Sequence, residues 1–147
     1  MTPRCPTTPE RSRQMALVRG KGNKSTELRM LTILRTAHIT GWRRQLPLPG
    51  RPDFSFPRER LALFIDGCFW HGCPTCARRA PRNNAAFWAA KIVSNELRDR
   101  RVNRELRSRG WHVLRFWEHG LSDSARVVAR TRLALAKAAA RRAQDSA

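Results

Sequence analysis

Three cysteines fall within nine residues, as Cys68-x4-Cys73-x2-Cys76. Soft thiolates this close together on one short loop suit a metal better than a disulfide framework, and structural zinc takes four ligands drawn from Cys and His. The fourth ligand must come from one of four histidines. His38 falls inside a predicted helix, and His112 inside a predicted strand where the pleat fixes its direction. His71 lies within the cysteine loop itself. His119, just past the end of that strand, is expected to complete a Cys3His site, holding a loop that has no apolar core of its own. Cys5, isolated in a polar arm, carries no such signal.

A second set of residues has oxygen chemistry. Asp53, after Pro52, opens one predicted strand, and Asp66 closes the next, so neighbouring strands can bring two carboxylates to one edge of a sheet. The chain is strongly basic, with 30 Lys and Arg against 11 acids and a net charge of +19. That surplus points first to phosphate, and 26 of the 30 are arginine, whose fork suits phosphate oxygens. Paired carboxylates on such a chain suit Mg2+, a hard cation that keeps its waters. Mg2+ can stabilise charge on a phosphodiester and activate water. His71, five residues past Asp66, is a candidate general base. Glu27, in the first turn of a predicted helix, could orient a metal-bound water. Phe69 and Trp70, beside His71, are candidates to stack on or wedge between bases, whereas Phe87 reads as a core residue.

These residues need elements to position them. Thr8-Pro9-Glu10 starts a predicted helix that stops by Gly20. A second helix is expected from Ser25 to about Thr40, with Leu28, Leu31, Leu34 and Ala37 as its apolar positions. Strands are expected over Trp42–Leu46, Asp53–Phe56, Leu61–Ile65 (buried on both faces) and Trp111–Trp117. The prolines at 47, 49 and 52 force a loop, and 66–83 is another. A long helix should span about Asn84–Arg109, and a basic one about 121–143. The order α-α-β-β-β-α-β-α implies an α/β domain with a mixed sheet flanked by helices, in one unit over 1–147. The longest uncharged apolar run, Ala85–Ala90, is far short of the roughly 20 residues of a membrane span, and the N-terminal segment lacks the apolar core of a secretory signal. A cytoplasmic, nucleic-acid-directed protein is expected.

The runs Gly50-Arg51-Pro52-Asp53-Phe54 and Asp66-Gly67-Cys68-Phe69-Trp70-His71-Gly72-Cys73 resemble the very short patch repair endonucleases. The likeness continues through Phe87-Trp88-Ala89-Ala90-Lys91-Ile92, Asn95, Arg98-Asp99-Arg100-Arg101, Gly110-Trp111-His112-Val113-Leu114 and Trp117-Glu118-His119, covering roughly residues 8–120. The resemblance implies a restriction-endonuclease-like core and a Mg2+-dependent enzyme that nicks duplex DNA 5′ to the thymine of a T:G mismatch. Such mismatches arise from deaminated 5-methylcytosine. It makes Asp53 the central metal-binding carboxylate, His71 the residue that activates water, Glu27 a supporting acid, and Asp99 an acid near the active-site water. It further implies that Phe69, Trp70 and Trp88 wedge into the duplex, that Lys91 and Asn95 contact the mismatched pair, and that Met15 belongs to a segment clasping the minor groove. A monomer associated with the nucleoid is expected, with other mismatch-repair proteins as further partners. Asp66-Gly67-Cys68 lacks the lysine of the general nuclease pattern, and Asp66 stands where some relatives have His. Its role stays open between metal ligand, partner of His71 and DNA contact. The alternatives are a restriction-type nuclease of the same fold and a non-catalytic, zinc-stabilised DNA-binding module.

Overall fold

The computed structural model of the chain describes residues 24–76 and 83–147. Along them run helix α1 (Lys24–Thr36), strands β1 (Arg43–Arg44), β2 (Phe54–Phe56) and β3 (Leu61–Asp66), and helix α2 (Ala85–Ser108). Strand β4 (His112–Trp117), a 3-10 turn over Glu118–Ser122 and helix α3 (Ser124–Asp145) complete the order. The expected helix over 8–20, with Met15, and also Cys5, lie outside the described residues.

The four strands form one mixed sheet in the order β1-β2-β3-β4. The first two pairings are antiparallel, and β3 and β4 run parallel from Leu61↔His112 to Asp66↔Trp117. A parallel pair cannot be joined by a hairpin, and α2 supplies the crossover. Because side chains alternate along a strand, β3 serves two cores. Leu61 and Leu63 join Phe54, Phe56, Leu114 and Phe116 in a cluster with Met30, Ile33 and Leu34 of α1 and Val127 of α3. Ala62 and Phe64 turn the other way and pack with Val102 and Leu106 of α2, and with Val113. The sheet therefore lies between α1 and α3 on one face and α2 on the other. Leu61–Phe64 are buried throughout, as the unbroken apolar run requires.

Four local expectations need correction. The α1 stripe drawn through Leu28, Leu31, Leu34 and Ala37 is rotated: Leu28 is 54% exposed, while Met30 and Leu34 are fully buried. Steps of three residues drift around a 3.6-residue helix, and the true inner face is Glu27, Met30 and Leu34, at i, i+3 and i+7. That puts Glu27 on the buried side, at 7% exposure. The helix also ends at Thr36 rather than Thr40, because His38 adopts φ 55° in a turn, after which Ile39 folds back into the core. The first strand is only two residues long; Gln45, at φ 55°, breaks it, and Trp42 packs edge-on to Phe54 at 5.5 Å instead. The last helix starts later than expected because the 3-10 turn intervenes, and Asp123 then caps it by accepting a hydrogen bond from the Arg126 amide.

The loop that leads to Asp53 is fixed by a close approach. Gly50 sits at φ 72°, and a Cβ there would lie 2.5 Å from Val102 Cγ1 on α2. Gly50→Ala combines a left-handed backbone with overpacking. It is expected to cost about 1–3 kcal/mol in chemical denaturation. Leu133→Ala, at a 56% exposed site, should stay within about 0.5 kcal/mol.

Candidate active site and metal centre

The sheet brings the carboxylates together. Asp53 immediately precedes β2 and Asp66 ends the antiparallel β3, so both stand at one end. The Ile65 amide donates to Asp53 Oδ2 at 2.7 Å. Glu27 reaches the same place from α1 and hydrogen-bonds Asp53, while its Oε2 accepts from Arg44 Nη2 at 2.6 Å. Burial above all, helped by the charges of Glu27 and Asp66, pushes the Asp53 carboxyl up to about 7 against the pull of the Ile65 amide. A carboxyl that holds its proton near neutrality marks a surplus of negative charge, which a cation would relieve. The donors are all hard oxygens. Asp53 and Glu27 therefore fit Mg2+.

Beside them lies a second group. His71 Nδ1 is 2.5 Å from Asp99 Oδ2 and 3.8 Å from Asp66 Oδ1. An ionised carboxylate can only accept, so Nδ1 carries a proton, and in the neutral imidazole Nε2 holds the lone pair. Burial pulls the His71 pKa down, but the hydrogen bond to Asp99 and the charges of Asp66 and Asp99 outweigh it and hold the imidazole above its ordinary value. Asp66 is raised by burial despite Arg115, whose Nη1 donates to its Oδ1 at 2.8 Å. The sequence reading missed Arg115 and its partner Asn103, whose Oδ1 accepts from Arg115 Nε at 2.8 Å. A charged residue amid Val113, Leu114, Phe116 and Trp117 was the available signal, since a mid-strand arginine facing a helix must have partners.

The cysteine loop closes on His119. Its Nδ1 lies 3.2 Å from Cys68 Sγ, 3.6 Å from Cys73 Sγ and 3.5 Å from Cys76 Sγ. Zinc bonds of about 2.3 Å to sulfur and about 2.0–2.1 Å to nitrogen put tetrahedral S and N donors about 3.6 Å apart. All four ligand atoms lie within 4.8 Å of one another, so the set fits zinc. Burial and the neighbouring thiols push Cys68 up to about 11. Burial also opposes ionisation of Cys73, but amides of Cys76 and Thr75 win and lower it. The loop's turn uses Gly72 at φ 67°, where a Cβ would clash with Ile92 and Glu96 of α2.

Aromatic rings gather at the N-terminal end of α2. Phe69, Trp70 and Trp88 meet edge-on with centroids 5.0–5.6 Å apart, and Phe87 adds a fourth ring 5.2 Å from Trp88. Phe87 is 59% exposed and is not a core residue, because the face of α2 that meets the sheet passes through Trp88 instead. Lys91 is exposed one turn further along. Asn95 is buried, and its Nδ2 donates to the Trp70 carbonyl at 2.8 Å, tying the aromatic loop to the helix.

Two outcomes test this geometry. Metal analysis should find one zinc per chain, lost in Cys73→Ser together with several degrees of Tm. For Asp53, a folded pKa above the unfolded value means that the folded state binds more protons between about 4 and 7, so stability falls as pH rises through that window. In metal-free protein, Asp53→Asn should raise Tm at pH 8 and give no gain at pH 4.

Comparison with known proteins agrees with this constellation. The family model described as DNA mismatch endonuclease Vsr matches residues 6–78. The type II nicking enzyme V.XorIIP of Xanthomonas oryzae pv. oryzae is 40% identical over 129 residues, covering 85% of this chain and 92% of the relative. The type II nicking enzyme V.HpaIIP of Haemophilus parainfluenzae is 38% identical over 75% of this chain and 79% of its own length. The DNA mismatch endonuclease Vsr of Escherichia coli is 34% identical over 76% of this chain and 70% of its own. The chain belongs to the Vsr family of DNA endonucleases.

Proposed function

We propose that the chain nicks double-stranded DNA 5′ to the thymine of T:G mismatches by Mg2+-dependent hydrolysis, as a single restriction-endonuclease-like domain. The observation that carries this is the shared sheet end, where Asp53 stands with Asp66 and the His71–Asp99 pair. Asp53, supported by Glu27, would hold Mg2+, whose chemistry is to stabilise charge on the scissile phosphate and lower the pKa of water. His71 takes the proton of the attacking water on Nε2, and Asp99 steadies the imidazolium that forms. Cys68, Cys73, Cys76 and His119 would hold zinc as a brace for the loop that carries His71 and the aromatic rings. Phe69, Trp70 and Trp88, already packed edge-to-face among themselves, offer faces and edges that suit insertion beside a weak base pair. Lys91 contributes a cation at the same rim, and the Asn95 amide sets the height of Trp70. The basic surface attracts the duplex without reading it.

The test is a pair of duplexes identical except for one T:G or T:A pair, incubated with Mg2+ or EDTA. Nicking is expected only at T:G and only with Mg2+; equal cutting of both duplexes would overturn mismatch specificity. Asp53→Ala should abolish nicking, and His71→Ala should lower kcat by about 10²–10⁴-fold. The His71 pKa is raised and His71 must be neutral to act. The rate at saturating Mg2+ should therefore climb as pH rises through and above the ordinary histidine range rather than peak on the acid side.

A further inference from the structure

We infer that Arg115 is a positioning residue for the reaction, holding the Asp99 carboxylate and, through it, the His71 imidazole, with Asp66 as its second anchor. This rests on the nuclease reading above and assigns the one acid whose role the sequence leaves open. The guanidinium is fixed on three sides. Its centre lies 4.1 Å over the Phe64 ring, its Nε donates to Asn103 Oδ1, and its Nη1 donates to Asp66 Oδ1 at 2.8 Å. The same Nη1 is 3.8 Å from Asp99 Oδ1, while the other oxygen of Asp99 takes the His71 Nδ1 proton. Strand β4 thus reaches across to β3 with one hand and to α2 with the other, and the imidazole hangs from the α2 side. Asp66 Oδ1 is engaged by a charge-assisted bond, so Asp66 serves as counter-ion to the arginine. Without the guanidinium, two carboxylates would face each other across a half-buried gap, and Asp99 would turn away. The imidazole would then lose its orientation. A lysine would restore the charge but not the planar fork. A methionine would keep the stem against Phe64 but neither charge nor fork.

Single-turnover and steady-state nicking of the T:G duplex by Arg115→Met and Arg115→Lys test this, with a proton NMR spectrum of each zinc-loaded protein. Arg115→Met is expected to lower kcat by roughly 10²-fold, as a small misplacement of a reacting group does, with KM within twofold. Arg115→Lys should fall between it and the wild type. Adding Asp66→Asn to Arg115→Met should raise kcat above that of Arg115→Met alone, because the uncompensated carboxylate is gone. Independently of activity, the His71 Nδ1 proton should resonate at low field in the wild type and vanish in Arg115→Met with zinc retained. Arg115→Gln replaces the methionine variant if that one fails to fold. A kcat within twofold of wild type and an unchanged resonance in both variants would overturn the inference. If the resonance depends on Arg115 but no T:G duplex is nicked by the wild type, the positioning role stands and the substrate reading falls.

Discussion

Asp53 and Asp66 stand on adjacent antiparallel strands at one end of the sheet, each largely removed from water, and like charges in such surroundings repel strongly. Much of the neighbouring structure answers that repulsion. The Ile65 amide bonds Asp53, Arg115 bonds Asp66, His71 bonds Asp99 and Arg44 bonds Glu27. Three of the four acids have a basic side-chain partner within the protein. Asp53 is the exception, since one amide does not offset burial plus two neighbouring carboxylates, and its carboxyl is pushed up to about 7. Asp66 is raised as well, because burial outweighs Arg115. The place that the chain leaves electrostatically unfinished is the one where a divalent cation is proposed to bind.

Helix α2 turns this local arrangement into a larger one. Trp88, Ile92, Asn95, Asp99, Val102 and Leu106 follow one another at steps of four and three along a single face. From its N-terminal end, that face meets the aromatic rings, the Gly72 turn, the Trp70 carbonyl, the His71 imidazole and the core under β3. A 24-residue helix docked by Leu106 and Val102 at one end thus sets the position of the His71 imidazole and of the aromatic loop at the other. The Cys3His cluster braces that loop from the opposite direction, since His119 belongs to the turn after β4. The loop between β3 and α2 has few apolar residues to bury, and two external anchors replace the core it lacks.

What could be read from the sequence follows from which signals are local. The continuous apolar run at Leu61–Ile65 marked its strand because burial on both faces leaves no alternation to misread, and Trp111–Trp117 was marked by its β-branched and aromatic residues. The Cys spacing with a distal His119 marked a cluster that the fold brings together, because zinc accepts few donor types. The inner face of α2 was not legible, since Asn95 and Asp99 occupy positions where an apolar residue would have shown the period. The inner face of α1 failed for a related reason: Glu27 is buried and paired with Arg44 rather than exposed as a helix-start acid. Arg115 and Asn103 were missed because their pairing joins residues 12 apart in sequence across a strand and a helix, which no local pattern records. In each case the chemistry of the site had replaced the hydrophobic signal that identifies an element.

The net charge of +19 takes on a different meaning once the acids are located. Four of eleven acids, Glu27, Asp53, Asp66 and Asp99, gather at one end of the sheet, and Asp123 caps α3. Few remain to neutralise the arginines along the exposed faces of α2 and α3. The exterior therefore attracts a polyanion, while the site gathers buried carboxylates of which Asp53 has no cationic partner among the described residues. An ionised Asp53 would repel a phosphate drawn in by the exterior. If Mg2+ binds there as proposed, it would do more than assist bond cleavage, because it would also admit the scissile phosphate beside Asp53. Binding of the duplex to the surface and its entry into the site would then separate in a metal-free protein.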